Sequence, residues 1–274
     1  MKNIFLRDAG ILNKNIKTPF FTRLNNCINL CKRYNLNIQI TIHKNFFLKN
    51  INTYLKFQKK LSKINNLTIH LHADYDDLIG KDNLSKIFFK KLDIYIKKLK
   101  NVSGICIHPD HIKNYSLFKK LKRKNLYVSI EVTDLKSKSG NRFKQIQKLL
   151  KKHKELNLVL DSSHINSIKL KYKSEKNFNE YVNYFKDRIV EFQLSNNING
   201  YSRKHFQNKL TTDHSLLCLK KNKLIKELMD INHYFKDLNI IMEGVIPYNF
   251  KKNVLLKKEI QIIKKIINVN NNLK

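Results

Sequence analysis

Short apolar runs rich in β-branched residues alternate along the chain with longer stretches in which apolar positions recur at helical spacing, the pattern of repeated strand–helix units. The strand-like runs are residues 4–7, 37–43, 67–73, 104–108, 126–133, 158–161, 189–194 and 239–245. The helical ones are 20–34, 48–64, 84–99, 117–122, 142–152, 178–186, 216–235 and 254–267. Every connection is long enough to cross over, so the strands are expected to run parallel with right-handed crossovers. Eight such units in 274 residues predict an α/β fold, a single (β/α)8 TIM barrel over residues 1–267 with a frayed tail at 268–274. An open doubly wound sheet is the competing arrangement. No linker rich in Gly, Pro or Ser divides the chain. The one long irregular connection, 195–213, is polar and Asn-rich and has the length of an active-site loop.

Six of the apolar runs stop on a side chain with an oxygen or imidazole donor: LTIHLHADY at His72, GICIHPDH at His108, LYVSIEVTD at Glu131, LVLDSSH at Asp161 and His164, IVEFQLSN at Gln193, and NIIMEGVIP at Glu243. In a β/α barrel the C-terminal strand ends carry the chemistry. Alternation along each strand decides which side chains meet. Glu131 shares a face with Ser129 and Thr133; His70 points with His72, Cys106 with His108, Val159 with Asp161, Glu191 with Gln193, and Ile241 with Glu243. Carboxylates converging inside a barrel are costly to leave ionised and unpaired, so a divalent cation is expected among them.

Composition changes this picture little. Lys and Arg outnumber Asp and Glu by 55 to 21, a formal charge of +34 that by itself suggests nucleic acid or an anionic surface as a partner. Only seven of the basic residues are Arg, however, whereas planar bidentate phosphate recognition favours Arg. With two alanines, no tryptophan and abundant Lys, Asn, Ile and Phe, the excess reads first as drift in an A/T-rich genome. The four cysteines form no disulfide framework or CxxC motif and read as core thiols of a reducing compartment. Arg7 and Asp8 interrupt the amino terminus before a signal-peptide core forms, and no run approaches about 18 apolar residues. A cytoplasmic protein without a membrane partner is expected.

In the order of these strand ends the chain resembles the xylose isomerase-like barrels, which include apurinic endonuclease family 2 and many sugar isomerases and epimerases. The resemblance spans roughly residues 67–245. HADY (His72 to Tyr75) is similar to the family's third-strand His followed by Tyr, HPDH (His108 to His111) to its fourth-strand His-Pro, and LDSSH to its Asp-x-x-His. IEVTD supplies the fifth-strand Glu131, EGV the eighth-strand Glu243, and TTDHSLL, with Asp213 and His214, resembles the endonuclease loop carrying an Asp-x-His metal pair. The resemblance implies Glu131, Asp161, Gln193, Glu243, His72, His108 and His214 as metal ligands, Glu131, Glu243 and His164 as catalytic groups, and Tyr75, His111 and Asp213 as substrate contacts. Two departures stand out: Gln193 replaces a metal-binding His, and Asp213 and His214 are adjacent with no Gly-Glu-Gly after them.

Structural roles compete with each of these. Asp161 could cap the turn that follows it, with Ser162 and Ser163 helping. His164 could orient Asp161 rather than bind metal. His72 and His108 could be core histidines, and His70, one layer deeper, a core hydrogen-bonding group. His43, His153, His205 and His233 read as surface or helix residues, and Lys144, Lys148, Lys151 and Lys152 as a solvated helix face. Three functions follow. The first is a divalent-metal-dependent isomerase or epimerase of a sugar or sugar phosphate, using Mn, Mg or Zn and a carboxylate that removes a proton beside a carbonyl. The second is a zinc-dependent phosphodiesterase acting at abasic DNA, with Tyr75 beside an extruded nucleotide. The third is a metal-free barrel serving as a binding scaffold.

Overall fold

Eight parallel strands close on themselves in the computed structural model, which describes residues 4–12, 18–73, 77–121, 123, 125–135, 137–196, 214–219, 223–235, 237–247 and 253–268. The barrel strands are β1 (Ile4–Arg7), β3 (Asn37–His43), β4 (Leu67–His72), β5 (Val102–Ile107), β6 (Tyr127–Glu131), β7 (Asn157–Asp161), β8 (Ile189–Leu194) and β9 (Asn239–Met242). They pair in that order, and β9 returns to β1 in the register Ile4↔Ile240, Phe5↔Ile241, Leu6↔Met242. A short parallel pair, β2 (Ile11–Leu12) with β10 (Ile246–Pro247), lies just beyond the mouth ends of β1 and β9 in the chain. The short first run therefore does form a barrel strand, and closure removes both sheet edges.

The main helices are α1 (Phe20–Tyr34), α2 (Lys44–Leu61), α3 (Asn83–Leu99), α4 (Phe143–Lys152), α5 (Ser162–Lys171), α6 (Phe178–Phe185), α7 (Lys223–Asp230) and α8 (Val254–Asn268). Their ends follow local chemistry. Asp82 accepts from the Ser85 amide at the start of α3, Asn177 and Glu180 form a reciprocal capping box on α6, and Asn35 closes α1 in the left-handed region at φ 51°. The helices lay Leu, Ile and Phe side chains against the outer strand faces, where Ile38, Ile40, Ile42, Ile69, Leu71 and Ile130 have no exposed surface.

Three expectations about helices change. Residues 117–121 of the expected 117–122 helix lie within a 3-10 turn, Tyr115–Leu121, rather than an α-helix, and residue 122 lies outside the described residues. The stretch 216–235 is broken into a 3-10 turn at Leu217–Leu219, then α7, then a second 3-10 turn at Asn232–Phe235. Helix α5 stands where only a turn was expected after β7. Helix α8 runs through Asn268; residues 269–274, and the loop residues 197–213 expected to line the site, lie outside the described residues.

The lower barrel interior is polar. Gln39 Nε2 donates to Thr68 Oγ1 (3.3 Å) and to Glu191 Oε1 (2.9 Å), and Gln193 Nε2 donates to the same Glu191 oxygen (3.1 Å). Tyr127 Oη donates to Glu191 Oε2 (2.9 Å) and accepts from Asn239 Nδ2 (2.8 Å). This floor fixes the side chains on which the mouth rests. Among the described residues no helix is long and apolar enough to cross a membrane.

Candidate functional site

Alternation brings every other residue of each strand into the barrel, and the last inward residue of several strands is ionisable. Glu131 ends β6 with no exposed surface. Its Oε2 lies 3.1 Å from His70 Nε2 on β4 and 3.6 Å from Cys106 Sγ on β5. Its Oε1 lies 3.3 Å from His108 Nε2, just past β5, and 3.4 Å from His164 Nδ1 on α5. Burial would raise this carboxyl, but His108, His70 and His164 around it hold it well below the ordinary carboxylate range. Burial pushes the His70 imidazole down to about 3, so it remains neutral.

Asp161 ends β7 and caps α5: its Oδ1 accepts from the Ser163 amide (2.7 Å) and the His164 amide (3.0 Å). The capping role weighed from sequence is thus real, yet it uses one oxygen. The other, Oδ2, faces His164 Nδ1 at 3.4 Å. Burial together with the like charge of Glu131 raises Asp161 to about 6, against the pull of His164. His164 is the reverse case. Burial alone would lower it, but Asp161, Glu131 and the Val132 carbonyl, 2.9 Å from Nδ1, raise it to about 10.

His214 reaches the mouth from beyond β8. Antiparallel backbone bonds between Asn196 and Ser215 (2.8 and 2.9 Å) and a bond from the Val245 amide to the His214 carbonyl (3.1 Å) fix its backbone. Its Nδ1 lies 3.2 Å from Ser195 Oγ and 3.6 Å from Glu243 Oε2, and its ring is 5.2 Å from that of His164. Glu243, 3% exposed just past β9, is ion-paired with Arg7 at the end of β1. The second arm of Arg7, Nη2, lies 3.4 Å from His72 Nε2. His72 in turn packs 4.4 Å from His70 and 4.9 Å from His108, ring centre to ring centre. Contacts therefore run without a break around the mouth: Glu131, His164, His214, Glu243, Arg7, His72, His108 and back to Glu131.

Glu131, Asp161, Glu243, His72, His108, His164 and His214 are thus brought together, and His111 stacks on His108 at 4.9 Å. Gln193, in register with Asp161, is fully buried; its amide nitrogen donates to Glu191 and its Oε1 has no hydrogen-bond partner. Tyr75 and Asp213 lie outside the described residues. Sequence reasoning missed three participants. His43 ends β3, exposed as expected of a surface residue, and also stacks on His72 at 4.9 Å, a contact parity alone did not show. His70 serves Glu131 directly. Arg7 drew no attention as a ligand partner, although its parity with Phe5 and its place at the end of an apolar run were the available signals.

The donor set fits a divalent metal. His70, His72 and His108 each offer a ligand atom within 4.8 Å of one another, as do Asp161, His164 and His214. Glu131 Oε1, Asp161 Oδ2 and Gln193 Oε1 are buried oxygens with no hydrogen-bond partner. A mixed imidazole and carboxylate set suits zinc better than magnesium.

No family model matches the sequence, and no curated protein matches it either. Solved structures do match. The crystal structure of the probable 3-DHS dehydratase AsbF from Bacillus anthracis, involved in petrobactin synthesis, superposes with a TM-score of 0.63 at 13% identity, covering 96% of this chain and 99% of that one. A xylose isomerase-like TIM barrel/4-hydroxyphenylpyruvate dioxygenase fusion protein matches with a TM-score of 0.62 at 11% identity, over 97% of this chain and 43% of the fusion. The chain thus spans less than half of that second protein. At these identities the likeness is one of fold alone, that of a TIM barrel.

Proposed function

We propose that this protein is a divalent-metal-dependent enzyme that removes a proton from the carbon beside a carbonyl in a small hydroxylated substrate, a sugar or sugar phosphate isomerase or epimerase. The observation that carries the reading is the setting of Glu131, a fully buried carboxylate contacted by His70, His108 and His164 at the mouth of the barrel. His70, His72 and His108, whose donor atoms lie within 4.8 Å of one another, would hold the metal, with Glu131 beside them on His70 and His108. Bound there, the ion would polarise the substrate carbonyl and stabilise the negative charge that develops on its oxygen.

The proton chemistry falls to this chain's own groups. Glu131 is too acidic, among its imidazoles, to be an effective base, and Glu243 is committed to Arg7. Asp161, raised to about 6, is matched to proton transfer near neutral pH, and its Oδ2 has no hydrogen-bond partner. His164 keeps Nδ1 on the Val132 carbonyl and is raised to about 10, so it would face the substrate as a cationic donor through Nε2. A dehydratase, the activity named for the Bacillus anthracis neighbour, differs from an isomerase in what the carbanion expels, and belongs in the same assay.

The test is deuterium wash-in from solvent at the carbon beside the carbonyl, followed by NMR over a panel of aldoses, ketoses and hydroxylated keto acids, with metal counted in parallel. Asp161→Asn keeps a capping oxygen, so it should fold and retain metal while exchange falls by roughly 10²–10⁴. Glu131→Gln should lose metal. Full-rate exchange in Asp161→Asn, or none in metal-loaded wild type across the panel, would sink the reading.

A second reading, phosphodiesterase action at abasic DNA, is favoured by one observation. Glu131 Oε1 stands between His108 and His164, at 3.3 and 3.4 Å, and so joins the two three-donor groups as a shared ligand of a multi-metal site would. It ranks second because Arg7 holds Glu243 and because Gln193 offers an amide where the resemblance to the endonucleases calls for a histidine.

A further inference from the structure

We propose that Arg7 is a resident cation standing where a metal ion would otherwise bind, so that the mouth takes one divalent ion fewer than its donors allow. The inference rests on the metal-binding reading of the mouth and concerns its Glu243 side, next to His72.

The register of β1 and β9 sets the arrangement. Leu6 pairs with Met242, so the next residue on each strand, Arg7 and Glu243, emerge side by side at the top of the barrel. Both are nearly buried, with 9% and 3% of their side chains exposed, and they form an ion pair. The guanidinium is planar, permanently charged and purely a donor, so it can stand in for a cation beside Glu243 but cannot ligate as a metal's partner would. Its other arm, 3.4 Å from His72 Nε2, faces the ring nitrogen that would serve a metal. One side chain thus sits between an imidazole and a carboxylate, the ligand types a zinc ion uses.

The neighbours of Glu243 complete the case. Its Oε2 is 3.6 Å from His214 Nδ1, and His214 already groups with Asp161 and His164 within 4.8 Å. Without Arg7, Glu243 would be a buried carboxylate lacking a counter-charge beside three further donors. Such a group recruits a cation.

The experiment counts zinc per chain after equilibration with zinc chloride and gel filtration, by atomic emission, in wild type, Arg7→Gln, Arg7→Lys and the Arg7→Gln/Glu243→Gln pair. Arg7→Gln should carry one zinc more than wild type; Arg7→Lys, which keeps the charge, should match wild type; the double variant should lose the extra ion or bind it at least tenfold more weakly. If Arg7→Gln is unfolded without metal, zinc should restore its far-ultraviolet circular dichroism and should fail to do so for the double variant. Equal zinc in Arg7→Gln and wild type, or no zinc-dependent refolding of an unfolded Arg7→Gln, overturns the proposal whatever the wild-type count. A wild-type count of zero counts instead against the metal-dependent function, and leaves the difference between the variants to decide the role of Arg7.

Discussion

A single missing side chain shapes the barrel floor. Gly104 on β5 faces Tyr127 on β6, and a methyl group placed there would run into the Tyr127 ring. The ring occupies that space to bring its hydroxyl to Glu191 and Asn239. Gly104→Ala should therefore destabilise by about 1–3 kcal/mol through overpacking. Urea denaturation should also show that adding Tyr127→Val costs less in the Gly104→Ala background than in wild type, because there it also relieves the clash. Additive losses would mean that the two side chains do not compete. The same scale shows what can be read from residues in a row. Parity along each strand placed Glu131, Asp161, Glu243, His72 and His108 on inward faces, since a period of two leaves no choice. It could not rank neighbours across strands. His70 looked like a core group because its service to Glu131 depends on the β4–β5–β6 register. Arg7 looked like a strand end because its partner lies 236 positions away in the sequence.

At the scale of elements, α8 positions a residue of the mouth that it does not touch. Glu259, buried on α8, accepts the Leu217 amide on Oε1 (2.9 Å) and the Cys218 amide on Oε2 (2.8 Å), tying down the 3-10 turn that follows His214. Burial raises this carboxyl from 4.5 to about 7 despite those two bonds. The folded state therefore holds the proton more tightly than the unfolded chain, and the stability associated with Glu259 falls as pH rises from about 4.5 through about 7. In Glu259→Gln that slope should be absent, while one of the two amides loses its acceptor at a cost of about 1–3 kcal/mol. Urea unfolding of both proteins at pH 5 and pH 8 measures the difference, and an unchanged pH slope in the variant would remove Glu259 as its source. Element boundaries were the part least open to sequence reading. Helix α5, SSHINSIKLK, has serines on its buried side and so no apolar stripe; it forms because Asp161 caps it and β8 covers it. The same carboxylate accepts the Leu217 and Cys218 amides, donors that would have no partner inside a helix beginning at 216, and so anchors the start of that stretch to α8.

For the whole molecule the open question is whether a charge of +34 serves the mouth. A basic groove runs between α4 and α6, lined by Lys144, Lys148, Lys151, Lys154 and Arg188. Lys154 precedes β7 by three residues and Arg188 immediately precedes β8, while Lys144, Lys148 and Lys151 lie along α4 on the outside of the barrel; the imidazoles and carboxylates gather inside it at the strand ends. Nucleic acid held in this groove would lie against the outer helix layer, outside the barrel that encloses Glu131, and gain nothing from the chemistry there. Binding should therefore be electrostatic and indifferent to lesions. Duplexes with and without an abasic site should bind with equal affinity, and log K should fall with log salt at about 0.9 per phosphate contacted. Fluorescence anisotropy between 50 and 200 mM salt, on the order of the range over which such contacts weaken strongly, measures both. A tenfold or greater preference for the abasic duplex, accompanied by zinc-dependent incision, would bring DNA to the mouth and put the phosphodiesterase reading ahead of the isomerase.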